Sequence, residues 1–586
     1  MTKVVSMLLV TDHKALPPEQ KVWGTGGWLP PEEREALDWL TLARVSGWNV
    51  VLTTPDQKSL AAVGGEGYQW VVLACDPATI GEELVTLFRT WLTDHPIALI
   101  IRSTVARSPI SKLSDAYITG DEIEGSSIRQ ANTRGHFWSC RSAFRAWSLT
   151  LGSCAIPWAY VGKTPVLAKR TLGQGEVFTL GFHPSAACDD NGSITTLLRQ
   201  LLVSGSRSPI AWLDFSDTMI LRMDDPGTAQ NVYSSSWSYP ELSESQWIEI
   251  GEILRLHDAR LSIGYASGWV DDGDADRGAL VVDGQAVERI PGRVYDAPLV
   301  VYRDKSGNQP GTVHDFASEY RAICALSRQG LVDNELHGYT HMYPDSEAWA
   351  SAVDRYDAAH WYRELGSYAL PAIARLAPSQ HPISRGLSAQ KQYFDKLPTT
   401  LICPGDEWTN EALELALAKG LSLVSSYYLA LRHGDRFCWA QHICAPYLDE
   451  PNEYWFDSGY PVVGYFHDRE PSVFGTQWLS NHLEKWVMAG AKRFLSFRDF
   501  AFLLELKINI KWAGKALLVS MKGGTRAHAK APVMLIIQLP QAENYFQIEA
   551  EYEGFACPVS IEWINTGLAR VKVKLKSQSH PVEYDS

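Results

Sequence analysis

The sequence predicts an α/β protein in three parts: an N-terminal open α/β sheet over residues 1–208, a central (β/α) barrel over 209–505, and a small C-terminal β-sandwich over 506–586. Three observations carry this reading. Short apolar runs alternate with helical stretches through the first two parts, the pattern of parallel strands and their crossovers. In the central part the chemically interesting residues stand at the ends of such runs, where barrel active sites collect. The last part holds five short strand-like segments separated by turn residues. A chain of 586 residues suits two to four domains with ample cores.

In the first part VVSMLLVT, WNVVLTT, QWVVLAC and IALIIRS read as buried parallel strands, with EREALDWLTLARVSG and GEELVTLFRTWLTD as helices between them. Residues 165–187 read as a hairpin ending in a loop, and ITTLLRQLLVSG as a helix. This pattern resembles the class I glutamine-amidotransferase-like fold, whose F-H-P-E segment is similar to GFHPSAA here. His183 matches the family's histidine, while Ser185 stands where its glutamate is expected. The nucleophile position falls near Ile101, with neither Cys nor Gly beside it, and Cys75 reads as a buried thiol. Without nucleophile and acid, Cys-His-Glu chemistry has nothing to run on. The expected role of this domain is structural or ligand-positioning.

In the central part TMILRMDD, RLSIGYA, LVDNELHG, TTLICPG, LSLVSS, PVVGYFHD and RFLSFRD read as strands. ESQWIEIGEILRLHD and NEALELALAKG read as helices among them. Residues 268–313 are rich in Gly and Asp and read as an inserted hairpin. Its DDGDAD lacks the twelfth-position Glu of a calcium loop, so a solvated turn is expected. Two pieces carry chemistry: LRMDDPG (221–227) and ELHGYTHMYPD (335–345). One carboxylate with two imidazoles can hold a divalent ion while leaving a position open for water, and the second carboxylate is then available as a base. Either piece alone says little, since Asp-Asp-Pro-Gly is a common turn and H-x-x-x-H pairs occur by chance. Their context is stronger. Asp224 and Asp225 end an apolar run, and His337 and His341 would share one face if the backbone turned helically there.

Composition narrows the classes. A net charge of −14 argues against a nucleic-acid partner. No apolar run approaches the ~20 residues that span a bilayer. The nine cysteines contain no C-x-x-C pair, which excludes a zinc ribbon or disulfide framework and suits a reducing compartment. MTKVVSMLLVTDHK reads as a first strand rather than a signal peptide. The expected location is therefore cytoplasmic, or periplasmic or secreted if a leader was removed. With 22 Trp, sugar-stacking surfaces are compatible with the composition.

The central part resembles the polysaccharide deacetylases of the NodB-homology type, carbohydrate esterase family 4, over about half the chain. The family's T-F-D-D-G motif corresponds to Arg222-Met223-Asp224-Asp225-Pro226, which makes Asp224 the general base and Asp225 a metal ligand. Its H-[ST]-x-x-H corresponds to His337 through His341, the two histidine ligands. R-x-P-x-G corresponds to ICPGDEW, keeping Pro404 and Gly405 but lacking the Arg. The closing motif corresponds to GYFHD, with His467 as general acid.

Two positions depart from the pattern. Arg222, on the same strand face as Asp224, is the candidate to replace the missing Arg. Asp468 and Asp406 are the candidates for the carboxylate that tunes the acid. The resemblance implies a divalent cofactor, most plausibly Zn²⁺, and hydrolysis of N-acetyl groups on an amino-sugar polysaccharide or oligosaccharide. Trp349, Trp361, Trp408 and Tyr465 are candidate groove aromatics, with Pro404 beside them. Two other readings stay open: a non-catalytic carbohydrate-binding scaffold on a decayed barrel, and a C–N hydrolase of a small molecule or peptidoglycan fragment.

Overall fold

In the computed structural model the described residues are 6–12, 31–105, 108–131, 137–184, 193–206, 208–227, 239–273, 278–303, 311–345, 348, 362–426, 429–434, 436–440, 443–448, 450–451, 455–456, 459–524, 531–539, 546–565 and 567–575. They form a mixed α/β protein. The four N-terminal apolar runs pair in parallel, in the order Asn49–Thr53, Ser6–Val10, Trp70–Leu73, Ala98–Arg102, and Gly175–Leu180 continues the parallel set. The expected hairpin is Thr164–Leu172 with Gly175–Leu180. Ile156–Val161 and two 15-residue antiparallel strands, Ala116–Gln130 and Phe137–Leu151, extend the sheet to nine. The half-polar, Ser- and Gly-containing sequences of the two long strands carry no sustained apolar alternation.

The central sheet has ten strands. Its path runs Arg436–Ala440, Leu429–His433, Leu423–Ser425, Thr400–Ile402, Val332–Leu336, Leu261–Tyr265, Thr218–Asp224, Val462–His467, Ile443–Pro446, with Arg493–Leu495 also beside Thr218–Asp224. Among the described residues this ladder does not close, so the barrel expected from the sequence is an open path. Its ends are nonetheless close. Ala440 and Ile443 are three residues apart, and chain connectivity holds them within about 11 Å. Leu429–His433 and Arg436–Ala440 pair antiparallel, which interrupts the β–α repeat.

Local sequence explains the elements that frame the site. Thr218–Asp224 is buried at all seven positions, as a central parallel strand must be. Helix Glu244–Leu256 starts at a Ser243/Gln246 capping box. Helix Phe316–Gln329 starts at Asp315, which caps Ser318 N–H, and stops at Gly330 in the left-handed conformation. The 268–313 insertion builds two small antiparallel sheets. At its start Asp271 accepts hydrogen bonds from the backbone of Gly273 and Ile290 and pairs with Arg289. That carboxylate ties a turn together rather than waiting for calcium.

At the C-terminal end, one four-stranded sheet is Lys507–Ala513, Ala516–Lys522, Gln547–Tyr552 and Phe555–Cys557. The other joins Val533–Gln538, Leu568–Val573 and Val559–Asn565 to Ile210–Leu213, a strand from the stretch that the sequence assigns to the start of the barrel. Leu517, Val519 and Met521 of the first sheet share a buried cluster with Leu535, Ile537 and Val571 of the second.

Candidate metal centre

Asp224 is the last residue of its strand, and the next residue leaves the ladder. Asp225 has φ 77°, a left-handed conformation that Asp tolerates better than most residues. Gly227 follows at φ 117°, where an added Cβ would lie 2.2 Å from the Ala266 carbonyl. Only glycine fits there, so Asp-Asp-Pro-Gly is a built turn against the neighbouring strand. Gly227 N–H donates to Glu319, a fully buried carboxylate on helix Phe316–Gln329. Burial, with the nearby charge of Glu241, pushes the Glu319 carboxyl up to about 8.

His337 follows strand Val332–Leu336, and the segment to His341 is a loop rather than the helical turn anticipated from the spacing. Gly338 (φ 64°) and His341 (φ 65°) are both left-handed. The loop is closed by Glu364, whose carboxylate accepts from the backbone N–H groups of Tyr339 (2.7 Å), Thr340 (3.0 Å) and His341 (3.1 Å), and from the Thr340 hydroxyl. A Cβ on Gly338 would meet Glu364 Oε2 at 2.1 Å. Nothing local in the sequence marks Glu364, which acts on a loop more than twenty residues upstream.

Asp225, His337 and His341 converge, all buried, with ligand atoms within 4.8 Å of one another. Asp225 Oδ1 lies 3.3 Å from Nε2 of each histidine. Ligands at ~2.0 Å from one tetrahedral ion stand about 3.3 Å apart, so these spacings fit a divalent cation. The Ile402 carbonyl, 2.9 Å from His337 Nδ1, can only accept. Nδ1 therefore carries a proton, which leaves Nε2 as the atom that would face a cation; burial pulls this imidazole down, but the Asp225 hydrogen bond and the charges of Asp224 and Asp225 raise it. Burial drives the His341 imidazole down to about 3 despite the charge of Asp225. Burial alone would raise the Asp225 carboxyl. The His337 hydrogen bond and the imidazoles of His341, His467 and His337 hold it well below the usual range.

Arg222 and Asp224 form a buried two-pronged pair. Arg222 Nε donates to Asp224 Oδ1 at 2.7 Å and Nη2 to Oδ2. Nη2 also reaches Asp406 at 3.0 Å, and Nη1 donates to the Ser426 carbonyl at 2.9 Å. The guanidinium lies 5.0 Å over the Tyr465 ring. His467 ends the adjacent strand, directly paired with Asp224. Burial pulls its imidazole down, but the Glu470 hydrogen bond and the charges of Asp225, Glu470 and Asp224 outweigh it and lift it to about 9. Gly264 on the other neighbouring strand leaves room for these groups, since a Cβ there would press on His337 at 3.1 Å.

Of the residues expected to touch a sugar, Tyr465 (1% exposed), Trp408 (0%) and Pro404 are buried. They support the centre from within and offer no surface to a ligand. Trp349 and Trp361 lie outside the described residues. In the N-terminal part Ile101 is a core strand residue, and burial with the charges of Asp12 and Glu35 pushes the Cys75 thiol up to about 12. His183 lies 3.5 Å from Glu35, on helix Pro31–Val45, and Arg102 also pairs with that carboxylate. Ser185 lies outside the described residues.

No family model matches the sequence, and no curated protein matches it. Among solved structures the chain is similar to an exo-beta-1,4-mannosidase from Opitutaceae bacterium strain TAV5, at 13% identity and TM-score 0.23, over 35% of this chain and 34% of that one. It is similar to a cytoplasmic protein from Salmonella typhimurium LT2, at 10% identity and TM-score 0.25, over 34% of this chain and 99% of that one. It is also similar to a CE4 family pseudoenzyme from Bacillus anthracis, at 9% identity and TM-score 0.24, over 49% and 66%. The chain thus spans about a third of the mannosidase's length. Likenesses at these TM-scores carry no argument about activity. No helix among the described residues is long and apolar enough to cross a membrane.

Proposed function

We propose that this protein is a metal-dependent hydrolase that removes N-acetyl groups from amino-sugar residues of a polysaccharide or oligosaccharide. The observation that carries the proposal is the convergence of Asp225, His337 and His341 beside an arginine-clamped carboxylate and a protonated histidine. Asp225, His337 and His341 would hold the cation, with Zn²⁺ favoured by the small donor set of two imidazoles and one carboxylate. When bound, such an ion acidifies water and polarises an acyl carbonyl.

The chain's own residues supply the proton transfers. Asp224, held by Arg222 through both carboxylate oxygens, accepts the proton of the attacking water. His467, cationic below about 9, donates to the departing nitrogen, which cannot leave as an amide anion. The two groups end adjacent paired strands, which supports their acting together as base and acid in one site. Under this reading 209–505 is the catalytic unit and the N-terminal part lacks glutaminase chemistry.

The test is acetate release from a panel of N-acetylated glycans by metal-stripped and Zn²⁺-reloaded protein. Release that returns with the metal supports the reading. Stoichiometric metal without release from any glycan favours a small-molecule C–N hydrolase or a binding scaffold.

A further inference from the structure

We infer that the Tyr447 phenol is the hydrogen-bond donor this centre holds ready for the oxyanion that develops on a substrate's acyl carbon. This assignment rests on the deacylation reading above. It starts from the backbone. The chain leaves strand Ile443–Pro446 through two successive left-handed residues, Tyr447 (φ 51°) and Leu448 (φ 48°). Neither is a glycine, and such conformations cost roughly 1–2 kcal/mol per residue. They persist only where surrounding structure imposes them, and they cluster at sites of function.

The imposing structure is visible. Leu448 is 1% exposed and packs in a core cluster with Met219, Val462 and Phe466. The strand beneath it carries Gly464, where a Cβ would meet Leu448 Cδ2 at 2.7 Å. The indole of Trp486 donates to the Leu448 carbonyl. Seating Leu448 in this way turns Tyr447 over the catalytic strand end. Its ring lies 5.6 Å from Tyr465 and 5.5 Å from His467.

The hydroxyl makes no hydrogen bond among the described residues. Burial, then the charges of Glu470, Asp406, Asp225 and Asp224, push the phenol up to about 12. It therefore stays protonated throughout the neutral range. A half-buried donor, fixed by a strained backbone and left uncommitted beside the acid histidine, suits an acceptor that arrives with the substrate. The competing reading is that only the ring matters, as packing against Tyr465 and His467.

Tyr447→Phe separates the two readings, because it keeps the ring and removes only the hydroxyl. In the Zn²⁺-loaded full-length protein, kcat for acetate release from N-acetylated chitooligosaccharides should fall ~10²–10³-fold, the usual cost of one oxyanion donor. KM should change by about twofold or less. Affinity for acetate, measured by calorimetry on the same protein, should weaken about tenfold, while Zn²⁺ affinity and the melting midpoint stay as in the parent. If the parent releases acetate from no glycan yet binds acetate in a Tyr447-dependent way, the deacetylase reading fails and the donor assignment stands. Kinetics and acetate binding that match the parent overturn the assignment, as does a parent that binds no acetate. A Phe variant that misfolds or melts several degrees lower also overturns it, by showing the hydroxyl to be structural.

Discussion

Arg222 grips Asp224 from two residues away on the same buried strand, one nitrogen to each carboxylate oxygen. On a strand, i and i+2 face the same side, so the cation that pairs with the Asp224 carboxylate comes from its own strand. The pair is fully enclosed, and Asp406 shares the guanidinium. Removing one partner of such a pair typically costs about 3–5 kcal/mol, because the other charge stays buried and uncompensated. Arg222→Met should therefore lower the thermal midpoint clearly as well as activity. Arg222→Lys should recover little, since an ammonium cannot make the two-pronged contact. Differential scanning calorimetry of the two variants checks this, and a Lys variant equal to the parent would contradict it.

Glu364 makes no contact with the ligand atoms, yet it fixes the backbone that carries His341. Glu364→Gln leaves Asp225, His337 and His341 in place while replacing one of the two carboxylate oxygens, which together accept from three N–H groups, with an NH2 that cannot accept. Zn²⁺ affinity should fall ~10–100-fold, the usual cost of losing an outer partner of a metal site. Competition against a chelator measures it.

The alkaline limb of the pH profile follows from His467. Its pKa is raised to about 9, so the donor form is present below that value and lost above it, and kcat/KM should descend on the alkaline side. A bound cation offsets part of the charge of Asp225, which places the descent at or below about 9. Glu470 lifts this pKa through its hydrogen bond and its charge. In Glu470→Gln the descending limb should consequently move to lower pH. A limb that stays in place would mean that it belongs to another group.

Glu319 predicts a pH dependence of stability. Burial raises its pKa from 4.5 to about 8, so between these values the folded state holds a proton that the unfolded state releases. Stability should then fall as pH rises through that window. Glu319→Gln should flatten the melting midpoint between pH 5 and 8 relative to the parent, as thermal scans at fixed ionic strength would show.

The central strand and its two carboxylates are legible in the sequence, because a mostly apolar run that is interrupted only by Arg222 and ends in Asp-Asp reads as a buried strand delivering carboxylates to a sheet edge. The Arg222–Asp224 partnership was equally legible from the two-residue period. The histidine loop was not. Spacing of four suggested a helical turn, whereas two left-handed residues and a distant glutamate bring the rings together. The open path of the central sheet was hidden because strand pairing is tertiary information, and the antiparallel hairpin at 429–440 breaks the β–α repeat. Strand Ile210–Leu213 was missed for a similar reason, since its partner lies more than three hundred residues downstream. Residue type alone points to Trp408 and Tyr465 as groove aromatics, and type does not report burial. Tyr447 left no mark in the sequence, since its backbone conformation depends on where Leu448 is seated.

The central claim is that Asp225, His337 and His341 form one cation site, and Zn²⁺ titration of the metal-stripped protein tests it most directly. The parent should bind one equivalent tightly, while His341→Ala, folded by circular dichroism, should bind none stoichiometrically. A parent that takes up no Zn²⁺, or a His341→Ala variant that binds as the parent does, would contradict it.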